Sequence, residues 1–167
     1  MGQWSKPLWA VKRPAPTRPI GEKKGVKRHL LTDGNGVPLS LVVTGANIND
    51  SLRLAQLLDG IVAERPAPRH GHPQTLCGDK GYDCEHCRAE LADRGYRDGI
   101  KSRKDERREK IENPGYRARR WVVERTHSWF NRWRKLVIRY ERKESNYFAL
   151  LCIAAGIMAM RAADVLG

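Results

Sequence analysis

Two acidic residues, Asp79 and Glu124, stand where a carboxylate could do chemistry as well as balance charge. Asp79 follows residues 74–78, a short segment that the pattern predicts as a buried strand, and sheets of α/β proteins place ligands at the carboxyl ends of their strands. Gly81 lets the backbone approach a ligand closely. The alternative for Asp79 is a turn or capping role, but Asp83 is predicted to cap the next helix. That assignment leaves Asp79 available for a ligand.

Glu124 projects from the polar side of a predicted amphipathic helix. On a wheel of about 100° per residue, one arc is apolar and is predicted to face the core: Val122, Val123, Trp129, Phe130, Trp133 and Leu136. The opposite arc is polar: Arg117, Arg120, Glu124, Ser128 and Asn131. Glu124 is either an ordinary surface partner of Arg120 or Ser128, or a metal ligand beside arginines that hold DNA. Periodicity does not decide between these two interpretations.

The motif Cys84-Glu85-His86-Cys87 is a third place where chemistry could occur. A structural zinc site needs four ligands. Cys77 and His72 lie nearby in the sequence, but a second Cys-x-x-Cys pair is missing. The motif therefore does not predict a zinc site, and four cysteines in a reducing compartment do not predict a disulfide framework.

The elements around these residues follow from turn and periodicity signals. Residues 33–36 are a turn between two strand-like segments and predict a hairpin, and the residues after Asn49 or Asp50, as cap, form an amphipathic helix. A strand at 74–78, a helix from Asp83 to about Arg94 and a strand at 96–100 come next. This order predicts an α/β domain with a mixed sheet. Residues 101–112 are almost devoid of apolar side chains and are predicted to be a mobile loop.

Charge and hydropathy limit the functional classes. The chain has 32 basic and 19 acidic residues, a net charge of +13. Residues 101–143 hold 16 basic and 6 acidic side chains, and residues 1–28 hold 8 and 1. Clustered cations of this kind predict a polyanionic partner. Residues 148–160 are the longest apolar run, shorter than the roughly 20 residues of a membrane span, and are predicted to form a buried core helix. With no secretory signal in residues 1–19, we expect a cytoplasmic protein without a membrane partner.

Five ordered motifs carry a resemblance to a known family. They are Lys27-Arg28-His29-Leu30-Leu31-Thr32-Asp33-Gly34-Asn35-Gly36-Val37-Pro38-Leu39, Gly45-Ala46-Asn47-Ile48-Asn49-Asp50, Asp79-Lys80-Gly81-Tyr82-Asp83, Arg119-Arg120-Trp121-Val122-Val123-Glu124-Arg125-Thr126 and Asn146-Tyr147-Phe148-Ala149-Leu150-Leu151. In order and spacing the chain resembles the insertion sequence 5 family of DDE transposases over most of residues 23–161. The resemblance implies a ribonuclease-H-like fold. It also implies metal-dependent cleavage and strand transfer of double-stranded DNA at the ends of a mobile element.

The same resemblance implies site residues. Asp79 would be the second catalytic acid and Glu124 the third, and both would bind Mg²⁺ or Mn²⁺. The DNA-binding residues would be Arg117, Arg119, Arg120, Arg125 and Arg132. The sequence departs from the family where Arg117 replaces a signature tyrosine, Tyr116 being one place away, and where Asn131 and Arg132 replace a frequent lysine.

The first catalytic aspartate of the family lies on an initial strand upstream of the hairpin. In this chain the one acidic residue before Asp33 is Glu22, in a stretch without strand character. We therefore expect an incomplete ribonuclease-H-like domain without its first strand, and a truncated or frameshift-split transposase that is inactive alone. It would act as a homodimer or with the product of an upstream frame. The alternatives are a non-catalytic DNA-binding remnant and a metal-dependent nuclease.

The expected organisation is a basic, proline-rich arm and one domain. The arm comprises residues 1–24, and the transposase domain comprises residues 25–163, with the charged loop at about 101–114.

Overall fold

The computed structural model describes residues 10–11, 25–67, 73–113, 115 and 121–165. Within them one mixed five-stranded sheet is flanked by helices. The strands are β1 (Ala10–Val11), β2 (Val26–Thr32), β3 (Pro38–Gly45), β4 (Thr75–Gly78) and β5 (Arg97–Asp98). The helices are α1 (Leu54–Asp59), α2 (Glu85–Asp93), α3 (Arg103–Glu112), α4 (Trp121–Phe130), α5 (Arg134–Val137) and α6 (Glu144–Ala162). The predicted mixed α/β sheet is confirmed.

Strand β1 holds the centre of the sheet, whose order is β3-β2-β1-β4-β5. It pairs antiparallel with β2 and parallel with β4, while β2 and β3 form the predicted hairpin. Ala10 and Val11 form a strand within the predicted arm, where the sequence predicts none, and the incompleteness of the domain stays a prediction. Two residues are too short a run to give an alternating pattern, so pairing with both neighbours defines a strand that the sequence does not reveal.

Two apolar clusters pack on opposite faces of the sheet, since the adjacent residues Leu30 and Leu31 of β2 belong to different clusters. The first cluster consists of Leu31, Leu39, Val42, Leu54, Leu57, Leu58, Leu76, Tyr82, Cys87, Leu91, Tyr96 and Ile100. The second cluster consists of Val26, Leu30, Val123, Phe130, Leu136, Tyr147, Leu151 and Ala154. Helices α1 and α2 therefore cover one face, and α4, α5 and α6 cover the other.

The charged segment that the sequence predicts as a mobile loop at 101–114 is largely helix α3. Its start is capped by Ser102, whose Oγ accepts a hydrogen bond from the Asp105 amide at 3.2 Å. An ion pair between Arg108 and Glu112, 2.8 Å apart, adds i,i+4 support. The low apolar content that predicts a loop is outweighed by this capping and by residues of good helix propensity.

Helix α6 is only partly the buried core helix that the apolar run 148–160 predicts. It spans 19 residues, and Tyr147, Leu151 and Ala154 are its buried positions, whereas Ile153 is 57% exposed. By length and composition α6 could cross a membrane. Its packing on β3 and α5 equally fits a helix that covers one face of a sheet, because such a helix needs only one buried stripe.

The predicted amphipathic helix after Asn49 is divided in two. Asn49 caps a 3-10 helix at Asp50–Arg53, accepting from the Ser51 amide at 3.3 Å, and α1 follows it. Leu52 and Val62 lie on this predicted apolar run but are 63% and 87% exposed. Leu52 belongs to the 3-10 helix, and Val62 lies beyond the end of α1 at Asp59. Of the two predicted caps, Asn49 is confirmed and Asp50 is wrong.

Candidate catalytic site

Asp79 lies directly after β4 and begins a 3-10 helix at Lys80–Tyr82. Its Oδ1 accepts a hydrogen bond from the Lys80 amide at 2.8 Å. Gly78 pairs in parallel with Val11 of β1. Asp79 therefore lies at the carboxyl end of a short strand, as predicted, and this end lies beside the central strand of the sheet; within β4 only Leu76 is buried.

The capping roles of Asp79 and Asp83 are the reverse of the prediction. Helix α2 starts after Cys84, whose side chain makes no capping hydrogen bond, and Asp83 forms an ion pair with Arg88. Asp79 supplies a cap, although to the 3-10 helix rather than to α2. Asp79 and Asp83 are four residues apart, and the sequence does not predict the 3-10 helix between them. Because of this 3-10 helix, Asp79 and not Asp83 accepts a hydrogen bond from a free backbone amide.

Two contacts fix the turn that carries Asp79. Tyr82 is fully buried in the first cluster, and burial raises the pKa of its hydroxyl, so it remains neutral. Gly81 lies against Asp50, because a Cβ added at Gly81 would be 3.5 Å from Asp50 Oδ2. The turn is thus anchored to the core by Tyr82 and to the preceding 3-10 helix through Asp50.

Asp50 belongs to a buried polar network that the sequence does not predict. Lys27 Nζ lies 3.2 Å from Asp50 Oδ1 and donates to the Ile48 carbonyl at 2.8 Å. His29 Nδ1 lies 3.8 Å from the same carboxylate oxygen, and His29 Nε2 lies 2.8 Å from Thr44 Oγ1. Burial lowers the pKa of His29 to about 4 even though Asp50 opposes the shift. The imidazole is therefore neutral near pH 7.

Helix α4, which carries Glu124, is docked on the turn of the β2–β3 hairpin. Thr126 Oγ1 donates to the Gly36 carbonyl at 2.7 Å, and Arg125 Nη2 donates to the Asn35 carbonyl. Gly36 has φ +87°, and a Cβ there would lie 2.9 Å from Thr126 Oγ1. Both the backbone conformation and the close approach require glycine at this position. Asp33 Oδ1 closes the turn by accepting from the Asn35 and Val37 amides, as its predicted turn role requires.

The predicted faces of α4 are confirmed near its centre and wrong at its end. Val122, Val123 and Phe130 are buried, and Glu124 is exposed. Trp129 is half-buried, and Trp133 is 40% exposed. Because α4 ends at Phe130, the helical periodicity used for the prediction no longer applies at Trp133. Leu136 is buried from the separate helix α5. Thr126 and His127 are buried although the wheel does not identify them.

The five arginines predicted to bind DNA fall into two groups. Arg117, Arg119 and Arg120 lie outside the described residues. Arg125 stacks on Trp121 and Trp129, with its Cζ 4.8 and 5.1 Å from the ring centroids, and it also holds the hairpin turn. Arg132 is exposed in the turn after α4. Of the described pair, Arg132 is thus the side chain that solvent and a polyanion reach more freely.

The described ranges contain no group of three or more His, Cys, Asp or Glu residues that could hold a metal ion. Asp79 and Glu124 offer the oxygen ligands that Mg²⁺ and Mn²⁺ prefer, but two carboxylates are a small set for the paired metal ions of phosphoryl transfer. The described residues do not complete a metal site. That Cys84 and Cys87 hold no structural zinc stays a prediction.

Comparison with known proteins gives one family and two relatives. The family described as transposase DDE domain matches residues 8–158. A putative transposase for insertion sequence element IS402 from Burkholderia cepacia is 38% identical over 145 residues, which are 86% of this chain and 66% of that protein. The transposase for insertion sequence element IS1106 from Neisseria meningitidis serogroup B is 31% identical over 138 residues, 80% of this chain and 43% of that protein. The chain thus spans less than two thirds of either relative. No solved structure gives a significant match.

Proposed function

Because the chain belongs to the transposase DDE domain family, we propose that it acts in DNA transposition. In this role it binds double-stranded DNA and contributes Asp79 and Glu124 to the cleavage and joining of strands at insertion-sequence ends. Membership of the insertion sequence 5 family in particular, a ribonuclease-H-like classification and a cytoplasmic location are parts of the same proposal. The mixed sheet with helices on both faces is consistent with it.

The observation that carries the proposal is the arrangement of two elements around β1. Asp79 follows β4, which pairs with β1, and α4 packs on β1 and β2. Two elements that are more than 40 residues apart in sequence therefore flank the same central strand, and each carries one candidate acid. A site built on strand ends and a packed helix holds its side chains more rigidly than one built on loops.

Basic side chains near α4 supply the DNA-binding part of the proposal. Arg132, Arg134, Lys135, Arg142 and Lys143 are exposed. Each cation that neutralises a phosphate releases condensed counterions. We expect binding to duplex DNA with little sequence preference and an affinity that falls at least about tenfold between about 50 and 200 mM salt. A gel shift without complex at low salt, or with an affinity insensitive to salt, contradicts this part.

The chemical part requires a third acid, and the one acidic residue before the hairpin, Glu22, is not expected to supply it. β1 itself is Ala10 and Val11, and Lys12 follows it, whereas Asp79 follows the paired residue Gly78 of β4. With Asp79 and Glu124 as the two acids present, we expect DNA binding without cleavage. A non-catalytic DNA-binding protein is the second candidate function, favoured by the exposed basic side chains described above.

A gain-of-function substitution separates these two candidates. Lys12→Asp supplies an acid directly after β1, and Arg13→Asp is the matched charge change one position further along the chain. Cleavage of a duplex in Mg²⁺ or Mn²⁺ by Lys12→Asp, lost again with Asp79→Ala or Glu124→Ala while DNA affinity remains, supports the enzyme.

Two results contradict the enzyme and favour the binding protein. One is that Lys12→Asp binds DNA but does not cleave it. The other is that cleavage appears in both Lys12→Asp and Arg13→Asp and survives Asp79→Ala. Cleavage by the parent chain that both alanine variants abolish shows instead that the site is completed by other residues, of which Glu22, Asp33 and Asp50 are the first to replace.

A further inference from the structure

Cys84 and Cys87 lie at the N-terminus of α2 with the Cys-x-x-Cys spacing of a dithiol pair. Cys84 is the N-cap residue and Cys87 the third residue of a nine-residue helix. The side chains of these two positions are neighbours, as in a capping box. The Cys84 thiol makes no capping hydrogen bond with the helix backbone. After burial, its proximity is the second cause that raises the pKa of Cys87. The two cysteines therefore occupy neighbouring positions at the start of α2, and Cys84 is not engaged in capping the helix.

The two thiols differ in exposure. Cys84 is half-buried, whereas Cys87 is fully buried in the first cluster, with its Sγ 3.7 Å from the Ser51 carbonyl oxygen. Burial raises the pKa of Cys87 to about 12. Cys84 lies at the start of α2, where its thiol is the more accessible of the two. Thiol–disulfide exchange needs one thiol that attacks first and a second that then forms the protein disulfide. The partly accessible thiol suits the first role, and the shielded thiol suits the second.

The supporting fold is the one in which such pairs act. Strands β4 and β5 are parallel and α2 connects them, so the motif opens the helix of a βαβ unit. A Cys-x-x-Cys pair in a cytosolic protein next to a βαβ pattern is typical of redox-active dithiols. With no three-ligand metal cluster among the residues that the structure describes, the pair is not accounted for by metal binding there.

We propose that Cys84 and Cys87 are a reversible modification site that forms an intrachain disulfide with a small-molecule disulfide such as oxidised glutathione. The Cys84 thiolate attacks one sulfur of the small disulfide, the S–S bond breaks, and one small thiol leaves with the proton lost by Cys84. The Cys87 sulfur then attacks the Cys84 sulfur, and the second small thiol leaves with the Cys87 proton. Two protein thiols are oxidised and one small disulfide is reduced to two thiols.

Peptide mass analysis of the full chain tests the proposal. The folded protein is incubated with oxidised glutathione, quenched with acid and cleaved after Lys80 and Arg88, which yields one peptide, Gly81–Arg88, with both cysteines. We expect this peptide to lose two hydrogen masses and to carry glutathione only transiently. Excess dithiothreitol restores the original mass. Cys152 is exposed and lies on another peptide, so its glutathione adduct is an internal control for a thiol without a partner.

Two single variants assign the roles. Cys87→Ser accumulates a stable glutathione adduct on Cys84, whereas in Cys84→Ser the Cys87 thiol reacts roughly tenfold or more slowly because it is buried and protonated. Far-UV circular dichroism confirms that each variant is folded. If a variant is unfolded, the parent result alone decides. A persistent adduct on Cys84 in the parent, a disulfide to another chain, or an unmodified pair while Cys152 reacts overturns the proposal.

Discussion

Adjacent residues of β2 place charged side chains on opposite faces of the sheet. These side chains are paired with polar groups on one face and incompletely hydrogen-bonded on the other. On the face of the first cluster, Lys27 and His29 meet the Asp50 carboxylate and Thr44 in a paired network. On the face of the second cluster, Arg28 is 1% exposed and donates from Nη2 to Asn131 Oδ1 at 2.9 Å. Its Nε and Nη1 atoms have no hydrogen-bond partner among the described residues.

The difference concerns how each candidate acid is supported. Asp79 depends on a turn that lies against Asp50 and is anchored by one buried tyrosine, Tyr82. Glu124 depends on a helix held by apolar side chains, with a buried cation nearby that is incompletely paired. Polar networks fix geometry at little net gain in stability, while apolar packing supplies stability. We therefore expect the apolar packing of both clusters to supply stability and the polar network on the first-cluster face to determine its dependence on pH.

The largest expected effect follows from Phe130→Ala. Phe130 is fully buried in the second cluster, so its removal should lower the free energy of unfolding by about 3 to 5 kcal/mol. Phe148→Ala is the matched control, since Phe148 is 38% exposed on α6 and the same change there should cost less than about 1.5 kcal/mol. Urea unfolding measures both. Equal losses would mean that the second cluster does not extend along α4 as described.

Arg28 tests whether its burial is costly. Burial lowers the pKa of this guanidinium, and replacement of a buried, poorly paired cation by an apolar side chain of similar length is often stabilising. We expect Arg28→Met to raise the free energy of unfolding by about 1 to 3 kcal/mol. Asn131→Ala, which removes the Nη2 acceptor, should lower it. A loss of stability in Arg28→Met would indicate that an anionic partner compensates the charge.

The first-cluster face should make the protein sensitive to acid. The folded-state pKa of His29 is about 4 against 6.5 for the unperturbed group, so the unfolded chain binds the proton more readily. The contribution is complete above pH 6.5 and is lost as the pH falls from about 6.5 to 4, on the order of 1 to 3 kcal/mol. Unfolding midpoints for the parent and for His29→Gln across this range measure it. Parallel pH curves for the two proteins would contradict the assignment.

The smallest effect is expected for Trp133, which the helical wheel places in the core. Since it is 40% exposed, Trp133→Ala should cost less than about 1 kcal/mol. Trp129→Ala should cost more, because the half-buried ring also stacks on Arg125. If both variants melt like the parent but lose DNA affinity, the two rings act as a stacking surface for DNA and not as packing groups.

Local signals predict the hairpin, the 74–78 strand and the outward position of Glu124, because each depends on turn chemistry or periodicity within a few residues. The sequence misses β1 and α3 for opposite reasons. β1 is defined by its pairing with β2 and β4, which lie far from it in sequence. α3 has too few apolar residues to show a helical periodicity, although Ser102 caps its start. The signal Ser102-x-x-Asp105 was present and could have identified the helix.

The burial of Arg28, His29 and Asp50 could not be predicted in the same way. A run of Lys27-Arg28-His29 reads as a solvated, basic stretch, since charged side chains are rarely fully buried. β2 is covered on both faces, and this depends on helices distant in sequence. Asp79 and Glu124 as candidate acids come from resemblance and position, and their catalytic roles remain predictions.

The contact between Gly36 and Thr126 joins residues that are 90 positions apart, which bears on the order of events during synthesis. The hairpin turn is synthesised well before the helix that covers it. Until then the Gly36 carbonyl and the second-cluster face of β2 have no helix against them. Closing so long a loop slows folding more than it destabilises the product. We expect the nascent hairpin to be the segment that chaperones bind during this interval.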